Sequence, residues 1–254
     1  QATDILLNST SKVRQGLKLN KSMQKFSIET AELTFKLLIE LLQDRAGSTK
    51  EAVMDSIIRG GTVLYLGGGE HARTGFLQNE ARQRDAKIIG LDLIYSSAAE
   101  SADKKNGLLR GNITQDNSKN EDGSAKIADK SIRTMIAIHF FNWECYYLYK
   151  DARAAYSGNR TSLSKNGKKK TKEEEKNAIK EYYSSIAKEI HRMLEDGGKL
   201  YVAGPVASLE FEKAFNTEFF ELIKLSDDDM EGFYEITKIA KGGQEGAGER
   251  KRYG

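Results

Sequence analysis

The sequence predicts an α/β protein: a three-layer α/β/α sandwich around a mostly parallel seven-stranded sheet, closed by a C-terminal antiparallel hairpin. Three observations carry this reading. Short apolar, β-branched runs alternate with helix-period segments across residues 51–241. The segments between the first five runs are long enough for crossover helices, which makes those strands parallel and buried on both faces. The last two runs are separated only by "DDDMEG", a turn, so one of them runs antiparallel.

Taken in order, residues 1–20 are polar and mixed and read as a loosely docked arm. From Ser27, the residues Ile28, Ala31, Leu33, Phe35, Leu37, Leu38, Leu41 and Leu42 recur near the helical period, and "DRAGSTK" ends that helix. A short helix, Glu51 to Ile58, leads into Gly60 and Gly61. "TVLYL" is the first strand and "RTGFLQNEARQR" the next helix. "AKIIGLDLIY" is the second strand. "SSAAESADKK" starts a helix with Ser96 or Ser97 as N-cap. "GLLRGNI" is a short third strand, followed by a polar loop, and "IRTMIAIHFF" is the fourth. "NWECYYLYKDARAAY" is helical. "IKEYYSSIAKEIHRMLEDGG" is an amphipathic helix whose Ile186, Ile190, Met193 and Leu194 share a face and whose glycines stop it. "KLYVAGP" is the fifth strand, "SLEFEKAF" a short helix, and "FFELIKLS" with "FYEITKIAK" the hairpin. The expected organisation is an N-terminal helical extension over 1–50, an α/β domain over 51–241 with a charged insertion at about 151–180, and a flexible Gly-rich tail over 242–254.

Composition narrows the function classes. The chain has 254 residues, is 39% hydrophobic and 30% charged, and carries a net charge of +3, too little to argue a nucleic-acid partner by itself. Its single cysteine, Cys145, makes no internal disulfide, which points to a reducing, cytoplasmic setting. With three histidines and one cysteine, a zinc site of Cys and His ligands is not expected. No apolar run is long enough for a membrane span. Gln1 is not Met, so the chain is expected to be trimmed or to belong to a larger polypeptide or complex.

The stretch "VLYLGGGEHARTG" runs a strand straight into Gly67, Gly68 and Gly69. Glycines at a strand end mark a sharp turn or a place where something approaches the backbone closely. In an open α/β sheet, ligands bind beyond the carboxyl ends of the strands where the strand order reverses. Asp92 ends the second strand in "IIGLDL", where a carboxylate accepts hydrogen bonds from both hydroxyls of a ribose. A dinucleotide fingerprint from Gly67 would want glycine at position 72, where this chain has Ala72. Alanine is sometimes accepted there, so this test alone does not decide between a dinucleotide and another nucleoside ligand.

From about Gly61 to Lys241, the sequence resembles the class I S-adenosylmethionine-dependent methyltransferases. "VLYLGGGEHA" is similar to the family's glycine motif and "IIGLDL" to its acidic ribose clamp. "LLRGNI" resembles its third motif, with Asn112 in place of the usual Asp. "IADKSIRTMIAIHFFNW" and "IAKEIHRMLEDGGKLYVAGP" resemble the fourth and fifth strand regions. Tyr65 stands where the family has an acid, His71 replaces a glycine, and Arg133 replaces an Asp. The resemblance implies that S-adenosyl-L-methionine is held by Tyr65, Gly67, Gly68, Gly69, Glu70, His71, Asp92, Leu93, Asn112, Ile113 and His139. It also implies methyl transfer to a small-molecule or RNA acceptor. "AIHFF" is similar to a segment of messenger-RNA cap guanine-N7 methyltransferases. "GGGEH" is similar to the glycine motif of aminopropyl transferases, but "HFFNW" lacks the acid that family places after its fourth strand. A non-catalytic module that keeps this fold is the other reading, favoured by Tyr65 and His71.

His139 ends the fourth strand, which in this architecture faces the transferred methyl group, and it is the candidate catalytic residue, accepting a proton or positioning the acceptor. Phe140, Phe141 and Trp143 are candidates to stack on a planar acceptor, with core packing expected for at least two of them. His191 reads as solvated helix surface, and "NGKKKTKEEEK" as a solvated helix start.

Overall fold

The computed structural model of the protein describes residues 21–58, 61–67, 76–92, 108–110, 127–141, 172–204, 206, 208–226 and 232–240. The elements are α1 (Lys21–Ala46), α2 (Lys50–Ile58), β1 (Thr62–Leu66), α3 (Phe76–Gln83), β2 (Lys87–Asp92), β3 (Leu108–Arg110), β4 (Ile132–Ile138), α4 (Lys172–Met193), β5 (Leu194–Gly204), α5 (Ser208–Phe215), β6 (Phe220–Lys224) and β7 (Gly232–Lys238). The strands form one seven-stranded sheet in the order β3-β2-β1-β4-β5-β7-β6. β1 to β5 pair in parallel, and β7 lies antiparallel between β5 and β6. The expected helices around 97 and 142–156, the N-terminal arm and the tail lie outside the described residues.

The strand period of two sends alternate side chains to two separate cores. Leu64, Leu66, Met135, Ala137, Leu200 and Val202 join Tyr183, Ile186, Ile190, Phe211 and Phe215 of α4 and α5. Val63, Tyr65, Ile136, Ile138, Tyr201 and Ala203 join Phe35, Leu38 and Ile39 of α1, Met54 and Ile57 of α2, and Leu77 and Ala81 of α3. Each fully buried side chain of this size contributes on the order of 1.5–3 kcal/mol of hydrophobic stabilisation before entropy is counted. Helix α1 therefore belongs to the layer that seals one sheet face, with Phe35 and Leu38 fully buried. Thr49 caps α2, its hydroxyl accepting from the Ala52 N–H at 3.2 Å.

Two boundaries differ from the sequence reading. Helix α4 begins at Lys172 and takes in "KEEEKN" from the charged insertion. Lys and Glu are strong helix formers, and the glutamates sit at the end where the helix dipole favours negative charge. At its other end, α4 stops at Met193 and β5 starts at Leu194, ahead of the two glycines. The β4–β5 pairing slips here, from Ile132 with Leu194 to Thr134 with Lys199, so "EDGG" is accommodated as an irregularity.

Charged staples fix that irregularity. Lys238, only 3% exposed, donates to the Leu194 carbonyl at 2.7 Å and pairs with Asp196 at 3.1 Å. Lys130 pairs with the other Asp196 oxygen at 2.8 Å. Hydrogen bonds from Lys130 and Lys238 hold the Asp196 carboxyl below its ordinary range. Arg192 donates to the Ile127 carbonyl at 2.8 Å, to Glu189 and to Asp129, which ties the end of α4 to the turn before β4. Burial opposes its charge, but the bonds to the two carboxylates outweigh it and raise its pKa.

Candidate functional site at the carboxyl ends of the parallel strands

The sheet order reverses between β1 and β4: β2 and β3 lie to one side of β1, and β4, β5, β7 and β6 to the other. Crossovers on both sides leave a crevice at such a switch point. Gly67 and Asp92 lie at the carboxyl ends of β1 and β2, each one residue past the last β1–β2 pair, Leu66 with Leu91. The Gly67 N–H donates to the Leu91 carbonyl at 2.9 Å, so the first residue of the glycine stretch is still tethered to β2. Asp92 is the last residue of β2 and pairs through its backbone with Arg110 of β3. Asp92, which the sequence reading assigned to a ribose, thus ends β2, the strand beside β1.

The mostly parallel sheet with a closing antiparallel pair is the architecture the sequence reading expected. Among solved structures, the chain is similar to a TehB-like S-adenosylmethionine-dependent methyltransferase from Corynebacterium glutamicum, at 12% identity and TM-score 0.46, covering 88% of this chain and 99% of that one. It is also similar to an S-adenosylmethionine-dependent methyltransferase from Methanosarcina mazei, at 12% identity and TM-score 0.41, covering 74% and 96%. A third is the geranyl diphosphate C-methyltransferase from Streptomyces coelicolor, crystallised with Mg2+, geranyl diphosphate and S-adenosyl-L-homocysteine, at 10% identity and TM-score 0.39, covering 74% and 75%. No family model matches the chain, and no curated protein matches it.

The candidate residues divide sharply by position. Tyr65 is 2% exposed and packs in the core beneath α1, α2 and α3. Gly67 has the left-handed φ of +65°, and a β-carbon there would stand 2.5 Å from Phe140 Cδ2. The missing side chain of Gly67 is therefore accounted for by a contact inside the protein. Gly68 and Gly69 lie outside the described residues, as do Glu70, His71, Leu93, Asn112 and Ile113.

His139 follows β4 directly and has φ +54°, rare for a residue with a side chain. Its N–H donates to the Ala203 carbonyl at 2.8 Å, which keeps it level with the end of β5. Its ring turns toward β5 and α1. Nε2 is hydrogen-bonded to Thr34 Oγ1 at 3.0 Å, across 105 residues of sequence. Nδ1 lies against Gly204, where a β-carbon would stand 2.8 Å away. Gly204 has φ +106°, so both its conformation and its surroundings require glycine. Phe140 turns the other way, onto Gly67. One kink thus sends two consecutive side chains to opposite sides of the end of β4.

Phe141 is 1% exposed and sits among Tyr183, Phe211 and Phe215, with ring centroids 4.8–6.2 Å apart. It is core, as expected for at least two of the three aromatics; Trp143 lies outside the described residues. His191 is half-buried, with its ring 5.3 Å from Phe219 and 5.7 Å from Phe220. The sequence reading placed it on a solvated surface because the edge strand that covers it is distant in sequence. Thr34 and Gly204 were not singled out by the sequence. Thr34 did leave a signal, a hydroxyl on the buried stripe between Ala31 and Leu38. Among the described residues, no group of three or more His, Cys, Asp or Glu side chains is placed to hold a metal, and no helix is long and apolar enough to cross a membrane.

Proposed function

We propose that the protein is an S-adenosylmethionine-dependent methyltransferase whose acceptor is a small molecule or an RNA. The observation that supports this most is the placing of Gly67 and Asp92 at the carboxyl ends of the neighbouring strands β1 and β2, next to the point where the strand order reverses. The donor set suits an adenosyl ligand. Asp92 would accept hydrogen bonds from the ribose hydroxyls, and Asn112 with Leu93 and Ile113 would border the adenine. The backbone from Gly67 to His71, with Glu70, would hold the amino-acid end. When bound, the cofactor supplies an electrophilic methyl group on a sulfonium, and the protein supplies orientation and exclusion of water. His139, at the end of β4, would take a proton from the attacking atom or fix the acceptor's position. The single cysteine suits a reducing, cytoplasmic setting.

Calorimetric titration with S-adenosylmethionine and S-adenosylhomocysteine tests this reading. Asp92→Ala should weaken cofactor binding by about 1–3 kcal/mol, the loss of charge-assisted hydrogen bonds. Absence of heat with both ligands removes the proposal.

A second reading, a cofactor-binding module without turnover, is favoured by Tyr65. The resemblance calls for a carboxylate there, and this chain has a phenol sealed in the core. Binding of the cofactor with no methyl transfer across a broad panel of small molecules and RNAs would support it.

A further inference from the structure

Helix α1 is apolar on two opposite faces. One face, with Ala31, Phe35, Leu38, Ile39 and Leu42, is buried on the sheet. The other carries Leu33, 59% exposed, and Leu37, 39% exposed. A surface helix needs one apolar stripe to seal the layer beneath it, and its outer face is ordinarily polar. Leu33 and Leu37 are one turn apart and make a single patch. Helical spacing places Thr30 and Phe26 in line with them. Along the margin of this outer face, exposed Glu29, Glu40 and Asp44 outnumber Lys36.

That charge discriminates between occupants. A second copy of the chain would set an acidic margin against its own like, whereas a basic segment is attracted to it. The segment that leads into α1 is basic. Residues 1–20, which lie outside the described residues, carry Lys12, Arg14 and Lys18 against the acid Asp4.

Its apolar spacing also matches. Leu6, Thr10, Val13 and Leu17 repeat the intervals of Phe26, Thr30, Leu33 and Leu37. Two antiparallel helices bring residues together in pairs whose numbers have a constant sum. Leu17 with Phe26, Val13 with Thr30, Thr10 with Leu33 and Leu6 with Leu37 obey that rule. Gly16 and Asn20 bound a connection of the length that joins helical hairpins, with glycine where a helix stops and asparagine where the next one is capped. Asn8, Ser9, Thr10 and Ser11 are weak helix formers, so this helix draws its stability from packing.

We propose that residues 6–17 fold back as a helix antiparallel to α1 and cover Leu33 and Leu37. The α1 side of the sheet then carries a second shell of helix, and both apolar faces of α1 have a partner. The proposal does not rest on the methyltransferase reading.

Disulfide trapping in the full chain tests it, with Cys145→Ser removing the native thiol. Thr10→Cys with Leu33→Cys should close within one chain under mild oxidation, and the exposure of Leu33 spares the core. Thr10→Cys with Glu40→Cys should close about tenfold more slowly, because that thiol stands roughly 10 Å further along α1. Equal rates for the two pairs, no disulfide within one chain, or a disulfide that joins two chains overturns the proposal. Hydrogen exchange of the wild-type chain gives a reading that needs no variant: amides of residues 6–13 should exchange at least about tenfold more slowly than in an unstructured chain. Exchange at the unstructured rate overturns the proposal. So does a wild-type dimer that Leu37→Glu converts to monomer, which would assign the patch to a second copy.

Discussion

Gly67 and Phe140 are neighbours across the ends of β1 and β4, closely enough that a β-carbon on Gly67 would stand 2.5 Å from the ring and force it to shift. Two separate penalties follow for Gly67→Ala. The left-handed backbone costs about 1–2 kcal/mol for a residue with a β-carbon, and the clash with Phe140 adds to it. Phe140→Ala should relieve the clash and leave the backbone term. Denaturant unfolding of the two single variants and the double variant is expected to show a favourable coupling between the sites; simple additivity would contradict the contact.

Gly204→Ala should destabilise the fold for the same two reasons, since a methyl group would sit 2.8 Å from His139 Nδ1 at a φ of +106°. The expected loss is about 1–3 kcal/mol in chemical denaturation. Thr34→Ser, which keeps the opposite side of the cradle, should lose less.

The Tyr201 hydroxyl is buried, faces the Glu235 carboxylate and is bonded to Ser56. Burial first, and the nearby charge second, push its pKa far above the ordinary tyrosine value of 10.0. In the unfolded chain the phenol ionises near 10.0, whereas in the folded chain it stays neutral. The stability tied to the neutral phenol is fully present below that pH and declines as pH rises above it. Thermal melts are expected to fall with pH in this alkaline window, and Tyr201→Phe should flatten the fall. An unchanged slope in the variant would place the alkaline sensitivity elsewhere.

Asp196 gives the opposite sign. Its folded-state pKa lies below the ordinary value of 3.8, so its contribution is present above that value and is lost as pH falls through it. Asp196→Asn should lower Tm at neutral pH and flatten the acid limb of the Tm profile. It leaves Lys238, 3% exposed, with only the Leu194 carbonyl from the pair described here.

The parallel sheet was readable because its causes are local. Period-two alternation in "TVLYL" and "IRTMIAI" assigns Leu64 and Met135 to one core and Tyr65 and Ile136 to the other. The start of β5 was not readable. Met193 and Leu194 continue the helical stripe of α4, and only pairing with Ile132 and the grip of Lys238 on the Leu194 carbonyl draw Leu194 into the sheet. The places of Gly67 and Asp92 at the ends of β1 and β2 were legible from sequence order. The directions of His139 and Phe140 were not, because a single left-handed residue resets the alternation after Ile138. Thr34 showed its oddity on an apolar stripe, but its partner lies 105 residues away and no local pattern names it.

Helix α1 is synthesised long before the surface it covers. At ribosomal speeds of about 5–20 residues per second, the 105 residues between Thr34 and His139 take roughly 5 to 20 seconds to emerge. For that interval Phe35, Leu38 and Ile39 have no β4 or β5 to lie on. Until then that stripe has only earlier elements such as α2 and β1 for neighbours, and a nascent chain halted before β5 would offer chaperones a greasy, half-covered helix.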